Sequence, residues 1–262
     1  MTTLNLDTSL NLNYTVQGTG KSLLIFNGAS LPLTFWGSLA DRLAAHFQVI
    51  RFDQRNAGST QFEGEFSLND VANDAARLLN HIGVEQAIII GHAWGGRVAQ
   101  VFARDYPHLV AGLVICGTGG QFPPAETGDW LARMRDARRT GARQQWEAAL
   151  EVLFCGNNFS KREPEIFQQL ADAAWQMPVA RGRWNPKISP SKSYWGLSTA
   201  PTLLLYGDQD KNGTPENARD LQSRLDAKLV TYEDAGHFVV REKEPEVAEQ
   251  IKAFVESLIA TG

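Results

Sequence analysis

Residues 84–107, VEQAIIIGHAWGGRVAQVFARDYP, decide the fold. The β-branched run before the turn predicts a buried strand, and the pattern from Trp94 to Asp105 predicts a helix. Between them lies GHAWGG, in which Gly91 and Gly95 stand two positions on either side of Ala93. A strand, a glycine-flanked turn and a helix in this order are typical of an elbow that holds a catalytic nucleophile at its apex. Here the apex is alanine, whose methyl group cannot attack a substrate.

Strand and helix patterns alternate around this elbow. The period-two alternation LNLDTSLNLNYTV predicts a hairpin, and short apolar runs predict further strands. These runs cover residues 22–26, 47–52, 201–207 and 227–233. Alternation of this kind predicts an α/β fold with a mostly parallel, twisted sheet flanked by helices. In such sheets the reactive groups gather at the carboxyl edge, where strands end and helices begin.

Helix signals separate the strands. Ser67 is a predicted N-cap, Asp70 three residues later completes a capping box, and Gly83 supplies the stop. Two more helices are predicted, one from about residue 215 and one over about 244–258.

Composition limits the class of protein. With 262 residues, 43% of them hydrophobic, the chain fits one large α/β domain with an inserted subdomain. A net charge of −4 predicts neither a nucleic-acid partner nor an anionic membrane surface. No apolar run is long enough for a membrane span, and the N-terminus lacks signal-peptide features, so we expect a cytoplasmic protein. Cys116 and Cys155 are expected to be reduced thiols, and no metal site is expected.

Residues 119–198 interrupt the alternation and predict a helical lid, inserted after the strand that ends near Cys116. The core domain is then formed by residues 1–118 and 199–262. A lid at this position would cover the carboxyl edge of the sheet. Its aromatic residues predict an apolar or aromatic small-molecule substrate. The side chains expected to bind that substrate are Trp130, Trp175, Trp184 and Trp195, with Phe238 from the core.

Two late loops carry candidate acid and base groups. EDAGHFVV places His237 just after the last strand, well after the elbow in the chain. YGDQDKNG follows the preceding strand and offers Asp210, with Asp208 as the competing carboxylate. A carboxylate that orients an imidazole and stabilises its cation is the pairing used with an elbow nucleophile.

The chain resembles the α/β-hydrolase superfamily over essentially its whole length. The elbow, the late Asp loop, the final His loop and the inserted lid follow in the family's order. RFDQRNAGST also resembles its Asp-x-Arg-x-x-Gly loop, whose Asp53, Arg55 and Gly58 are expected to be structural. The resemblance implies that Asp210 and His237 serve as acid and base. It also implies that the backbone N–H groups of Trp94 and of Ala29, in FNGAS, form the oxyanion hole.

Ala93 departs from the family pattern, and three hypotheses account for it. In the first, Ala replaces a reactive residue by engineering: Ser for acyl transfer, or Asp as in the epoxide hydrolases and dehalogenases that GHAWGG resembles. In the second, Ala is native, as in the similar aminoacrylate hydrolases, and His237 deprotonates water or substrate directly; lyase or cofactor-free oxygenase chemistry belongs to this hypothesis. In the third, the chain binds a ligand without catalysis.

The favoured expectation is a hydrolase of a small, apolar or aromatic ester, lactone, amide or C–C ketone. His237 would act as the general base and Asp210 would orient it. No cofactor is expected, and the protein is expected to be a monomer or homodimer.

Overall fold

A computed structural model describes residues 2–7, 10–122, 124–126, 128–175, 183–184 and 192–260. Its main sheet has eight strands in the spatial order β1 (Thr2–Asp7), β2 (Leu10–Gln17), β4 (Gln48–Phe52), β3 (Ser22–Phe26), β6 (Ala87–His92), β7 (Val110–Cys116), β9 (Thr202–Gly207) and β10 (Lys228–Tyr232). The strands β1 and β2 pair antiparallel, as do β2 and β4, and every other neighbouring pair is parallel. The predicted α/β fold with a mostly parallel sheet is confirmed.

Two short strands, β5 Glu65–Phe66 and β8 Arg183–Trp184, form a separate parallel pair.

The helices are α1 Gly37–Ala44, α2 Leu68–His81, α3 Trp94–Asp105, α4 Trp130–Thr140, α5 Arg143–Phe154, α6 Phe159–Arg162, α7 Pro164–Trp175, α8 Pro215–Leu225, α9 Val239–Glu242 and α10 Glu244–Ala260. Three 3₁₀ turns cover Leu33–Trp36, Pro107–Leu109 and Lys192–Tyr194.

Helix α2 begins where its capping residues predict. The Ser67 hydroxyl accepts from the Asp70 N–H at 3.1 Å, and the Asp70 carboxylate accepts from the Ser67 N–H at 2.7 Å. Such a reciprocal cap satisfies two backbone donors at the start of a helix. The apolar face of the helix then packs on the sheet through buried residues, among them Val71, Ala75 and Leu78.

The buried side chains form two clusters. Residues from α4–α7, among them Trp146, Leu150, Phe167 and Leu170, share one cluster with strand residues such as Leu23. The four described helices of the insertion (residues 119–198) therefore pack into a core that is continuous with the sheet.

The described part of the chain contains no helix that is both long enough and apolar enough to cross a membrane.

Candidate active site

The elbow forms at the junction of β6 and α3. Ala93 has φ 53° and ψ −118°, a conformation that L-residues rarely adopt and that costs about 1–3 kcal/mol. Its N–H donates to the carbonyl of Cys116 at 2.9 Å, and its own carbonyl accepts from Gly96 at 3.1 Å. These bonds, together with the buried strand before the turn, hold the Ala93 methyl group in the cavity wall.

The glycines of the elbow are required by close backbone approach. A Cβ on Gly91 would lie 2.6 Å from the carbonyl oxygen of Gly95. A Cβ on Gly95 would collide with the carbonyl oxygens of Phe26 and Asn27. The sharp turn thus lies directly against the loop after β3.

His237 and Asp210 come together although 27 residues separate them. The His237 Nδ1 lies 3.0 Å from Asp210 Oδ1 and 3.1 Å from Oδ2. Because a carboxylate can only accept, Nδ1 carries the proton and Nε2 has a free lone pair. Asp208 does not take this place: its Oδ1 accepts the Ala235 N–H at 3.4 Å.

Asp210 is buried, but its carboxylate accepts several hydrogen bonds. Its Oδ1 also accepts the N–H groups of Asn212 at 2.8 Å and Gly213 at 2.7 Å. Burial raises the pKa of Asp210, but the charge and hydrogen bond of His237 and these two N–H groups lower it more. The resulting pKa is below the ordinary 3.8. Asp210 is therefore ionised at neutral pH.

His92 is a second imidazole at the site. Its Nε2 donates to the carbonyl of His237 at 2.8 Å, so its Nδ1 is unprotonated, and this buried atom has no hydrogen-bond partner among the described residues. Burial and the neighbouring His237 lower the pKa of His92 to about 3. His92 is therefore neutral wherever His237 could act as a base.

The loop after β3 is fixed by Asn27. The Asn27 side chain donates to the Phe52 carbonyl at 2.9 Å and accepts from the Trp36 indole at 2.7 Å. Its backbone N–H donates to Gln54 Oε1 at 2.6 Å. Ala29, two residues later, lies in the cavity wall beside Ala93 and Trp94.

These groups surround one cavity of about 280 Å³. The insertion contributes mainly apolar side chains, namely Met134, Leu150, Phe154 and Ala174. The core contributes Phe238, which the sequence analysis expected to contact the substrate and which lines the cavity.

Most of the tryptophans that were expected to bind the substrate do not line this cavity. Among the described residues, the cavity wall does not include Trp130, Trp175 or Trp195. Trp175 packs edge-on against Trp146 with 5.1 Å between ring centroids, and the Trp195 indole donates to Asp220 at 2.7 Å. Both rings have structural partners of their own. The side chain of Trp184 lies outside the described residues.

The Asp-x-Arg-x-x-Gly loop lies apart from the chemistry. The Asp53 carboxylate accepts from the N–H groups of Leu33 and Ser59, at 2.7 and 2.8 Å. Arg55 forms an ion pair with the buried Asp74 at 2.7 Å. Both contacts brace loops behind the site.

Neither thiol is suited to attack. Burial raises the pKa of Cys116, and burial with nearby carboxylates raises that of Cys155, so both stay protonated at neutral pH. Among the described residues, no group of three or more His, Cys, Asp or Glu could hold a metal ion.

A family model described as alpha/beta hydrolase fold matches residues 21–244. The chain belongs to the α/β-hydrolase family. It is an enzyme of the hydrolase class within that family.

Several members of the α/β-hydrolase family are similar over nearly the full chain. A poly(3-hydroxyalkanoate) depolymerase from Ectopseudomonas oleovorans is 27% identical, covering 89% of this chain and 84% of its own. A 2-(acetamidomethylene)succinate hydrolase from Mesorhizobium japonicum is also 27% identical, covering 91% and 88%. A malate-bound esterase structure from Thermogutta terrifontis superposes with a TM-score of 0.81 at 25% identity, covering 98% and 97%.

Sequence reasoning missed two residues of this α/β-hydrolase site. Arg97 lies in the cavity wall and is the fourth residue of α3, the helix that follows the elbow. Its position at the start of that helix was the signal that the sequence offered. Glu242 accepts the N–H groups of Gly156 and Gly236 at 2.7 and 3.0 Å, and so ties the insertion to the His loop. No sequence pattern indicated this contact.

Proposed function

We propose that this hydrolase cleaves a small ester, lactone, amide or activated C–C ketone by direct attack of water, with His237 as general base. The observation that carries the proposal is the juxtaposition of an intact His237–Asp210 pair with an elbow whose apex is Ala93. A base and its orienting acid are present, and the side chain that would form a covalent intermediate is not. A methyl group at the apex leaves room for water next to the base.

The reaction needs one proton transfer in each direction. Water gives a proton to His237 Nε2 while its oxygen bonds to the carbonyl carbon of the substrate. Asp210 stabilises the imidazolium through Nδ1–H. The tetrahedral intermediate then collapses, the bond to the leaving group breaks, and Nε2 returns the proton to that group.

Negative charge on the carbonyl oxygen needs fixed donors. The backbone N–H groups of Ala29 and Trp94 are proposed for this role, because both residues line the cavity beside Ala93. Trp94 is also the first residue of α3, where helix N–H groups and the helix dipole favour an anion. Removing one such donor typically reduces kcat by about 10²–10³-fold.

Two relatives fit this substrate class. The depolymerase is named for a polyester, and the succinate-derivative hydrolase is named for an acetamido compound. The epoxide and dehalogenase alternative has less support. Its partner in the lid would be Tyr194, which is buried and is not among the cavity-lining residues.

The test compares variants at positions 93 and 237 on a panel of p-nitrophenyl esters and small lactones. We expect His237→Ala to lower kcat at least 10³-fold, because the base is lost. The exposed His46→Ala is the matched control and should match the unaltered chain. Turnover that survives in His237→Ala would contradict the proposal.

Ala93→Ser separates water attack from acyl transfer. Under the proposal it changes kcat by less than about threefold, because the new hydroxyl adds no required step. A gain of 10²-fold or more, with a burst of the first product, would overturn water attack in favour of a covalent serine mechanism.

A further inference from the structure

Arg97 brings a positive charge to a cavity whose side chains from the insertion are all apolar. It lies in the first turns of α3, and its side chain lines the cavity with Ala93, Met134, Leu150 and Phe154. Arg97 therefore shares one cavity wall with Ala93 and His237, the proposed reaction centre.

Among the described residues, no carboxylate forms an ion pair with this cation. The described residues provide ion pairs for Arg55, Arg143 and Arg241, but none for Arg97. The undescribed stretches at 176–182 and 185–191 contain no Asp or Glu, and neither do the other undescribed positions. A half-buried cation among apolar side chains usually has an anionic partner, because burying an unpaired charge is costly.

The side chain is held in a fixed direction. Arg97 Nε donates to the carbonyl of Gly119 at 2.8 Å. A Cβ on Gly120 would lie 3.1–3.5 Å from Nε, Cζ and Nη2, so glycine lets the backbone pass close to the guanidinium. The backbone contact uses Nε, and within the described parts of the chain neither terminal nitrogen forms a hydrogen bond, so both can serve a ligand. A fixed guanidinium edge suits the two oxygens of a carboxylate.

We propose that Arg97 binds a carboxylate of the substrate, so that the enzyme acts on short carboxylate-bearing esters, lactones or amides. The carboxylate would lie a few bonds from the scissile carbonyl, because Arg97 and Ala93 line the same cavity of about 280 Å³. This inference rests on the proposed hydrolytic function and specifies its substrate class. A neutral substrate of the same shape would leave the guanidinium unpaired in the cavity.

The first experiment measures binding and needs no turnover. Succinate, glutarate and adipate are titrated calorimetrically into the unaltered protein, Arg97→Gln and Arg97→Lys. The corresponding neutral diamides are titrated in the same way as probes of shape without charge. We expect at least one dicarboxylate to bind at least tenfold more tightly than its diamide. Arg97→Gln should lose 10- to 100-fold in affinity for it, and Arg97→Lys should lose less, because it keeps the charge.

The matched control is Arg133→Gln, which removes an exposed arginine of α4 paired with Asp129. It should bind the dicarboxylate as the unaltered protein does. Equal loss in Arg133→Gln would show that general surface charge is responsible, and absence of any preference for the dicarboxylates would overturn the inference.

The second experiment compares hydrolysis of monomethyl and dimethyl glutarate. We expect kcat/KM to favour the monoanion, and Arg97→Gln to reduce kcat/KM for the monoanion at least tenfold more than for the diester. Equal losses on both substrates would contradict the inference. If neither ester is hydrolysed while Arg97-dependent dicarboxylate binding persists, the hydrolytic proposal fails and the carboxylate site stands.

Discussion

At the scale of single residues, Ala93 combines a costly backbone conformation with an unreactive side chain. Its φ of 53° and ψ of −118° suit glycine better than alanine. Ala93→Gly should relieve strain worth about 1–3 kcal/mol, but glycine also adds about 1 kcal/mol of conformational entropy to the unfolded chain. We therefore expect Ala93→Gly to raise the free energy of unfolding by about 1 kcal/mol. Urea denaturation at constant pH measures this change.

Ala132→Gly is the control for that prediction, since Ala132 is an exposed residue within α4. It should lower the free energy of unfolding by about 1 kcal/mol, the ordinary cost of glycine in a helix. If Ala93→Gly is destabilising by a similar amount, the elbow conformation is not strained.

The sequence could predict some residues of the cavity but not others. Asp210 and His237 were predictable because each follows a strand of one parallel sheet, and such strand ends meet at one edge. The positions of the tryptophans were not predictable. Trp175 contacts Trp146, and Trp195 contacts Asp220, and both partners lie in distant parts of the chain. Composition alone does not indicate whether a tryptophan packs against such a partner or lines a cavity.

At the scale of elements, the strands and longer helices followed from local patterns. The prediction for α3 matches its bounds, and the cap at Ser67 starts α2. The short α9 was not predicted, because four residues carry too little periodicity. Yet α9 positions Glu242, which binds both the insertion and the His loop.

Glu242 makes this junction sensitive to pH. Burial raises its pKa to about 7, although the N–H groups of Gly156 and Gly236 act in the opposite direction. A carboxyl group with a raised folded-state pKa contributes stability that is complete below its unfolded pKa of 4.5 and is lost as pH rises through about 7. We therefore expect the free energy of unfolding to fall between about pH 4.5 and 7 and to level off above that range.

The difference in pKa corresponds to about 3 kcal/mol over this range. Glu242→Gln cannot ionise, so its stability should lack this decline, as measured by urea denaturation at several pH values. The exposed Glu249→Gln should keep the slope of the unaltered protein. An unchanged slope in Glu242→Gln would assign the pH dependence to other groups.

At the scale of the whole molecule, the insertion, which was predicted as a helical lid over residues 119–198, shares one buried cluster with the sheet. The Asp loop reinforces this docking: Asn212 Nδ2 donates to the Leu153 carbonyl at 2.9 Å. The Phe238 N–H likewise donates to the Phe154 carbonyl at 3.1 Å. Docking of this kind couples the cavity wall to the stability of the fold.

Trp146 tests whether the chain unfolds as one unit. It is 2% exposed and packs between the insertion and the core, so Trp146→Ala should lower the free energy of unfolding by about 3–5 kcal/mol. Because the cluster is continuous, far-UV and near-UV circular dichroism should still report a single coincident transition. Trp130→Ala, at a half-exposed ring in α4, should cost less than about 1 kcal/mol. Two separate transitions in Trp146→Ala, with the sheet melting at its original midpoint, would instead mean that the insertion folds as an independent lid and that the cavity can open without loss of the core.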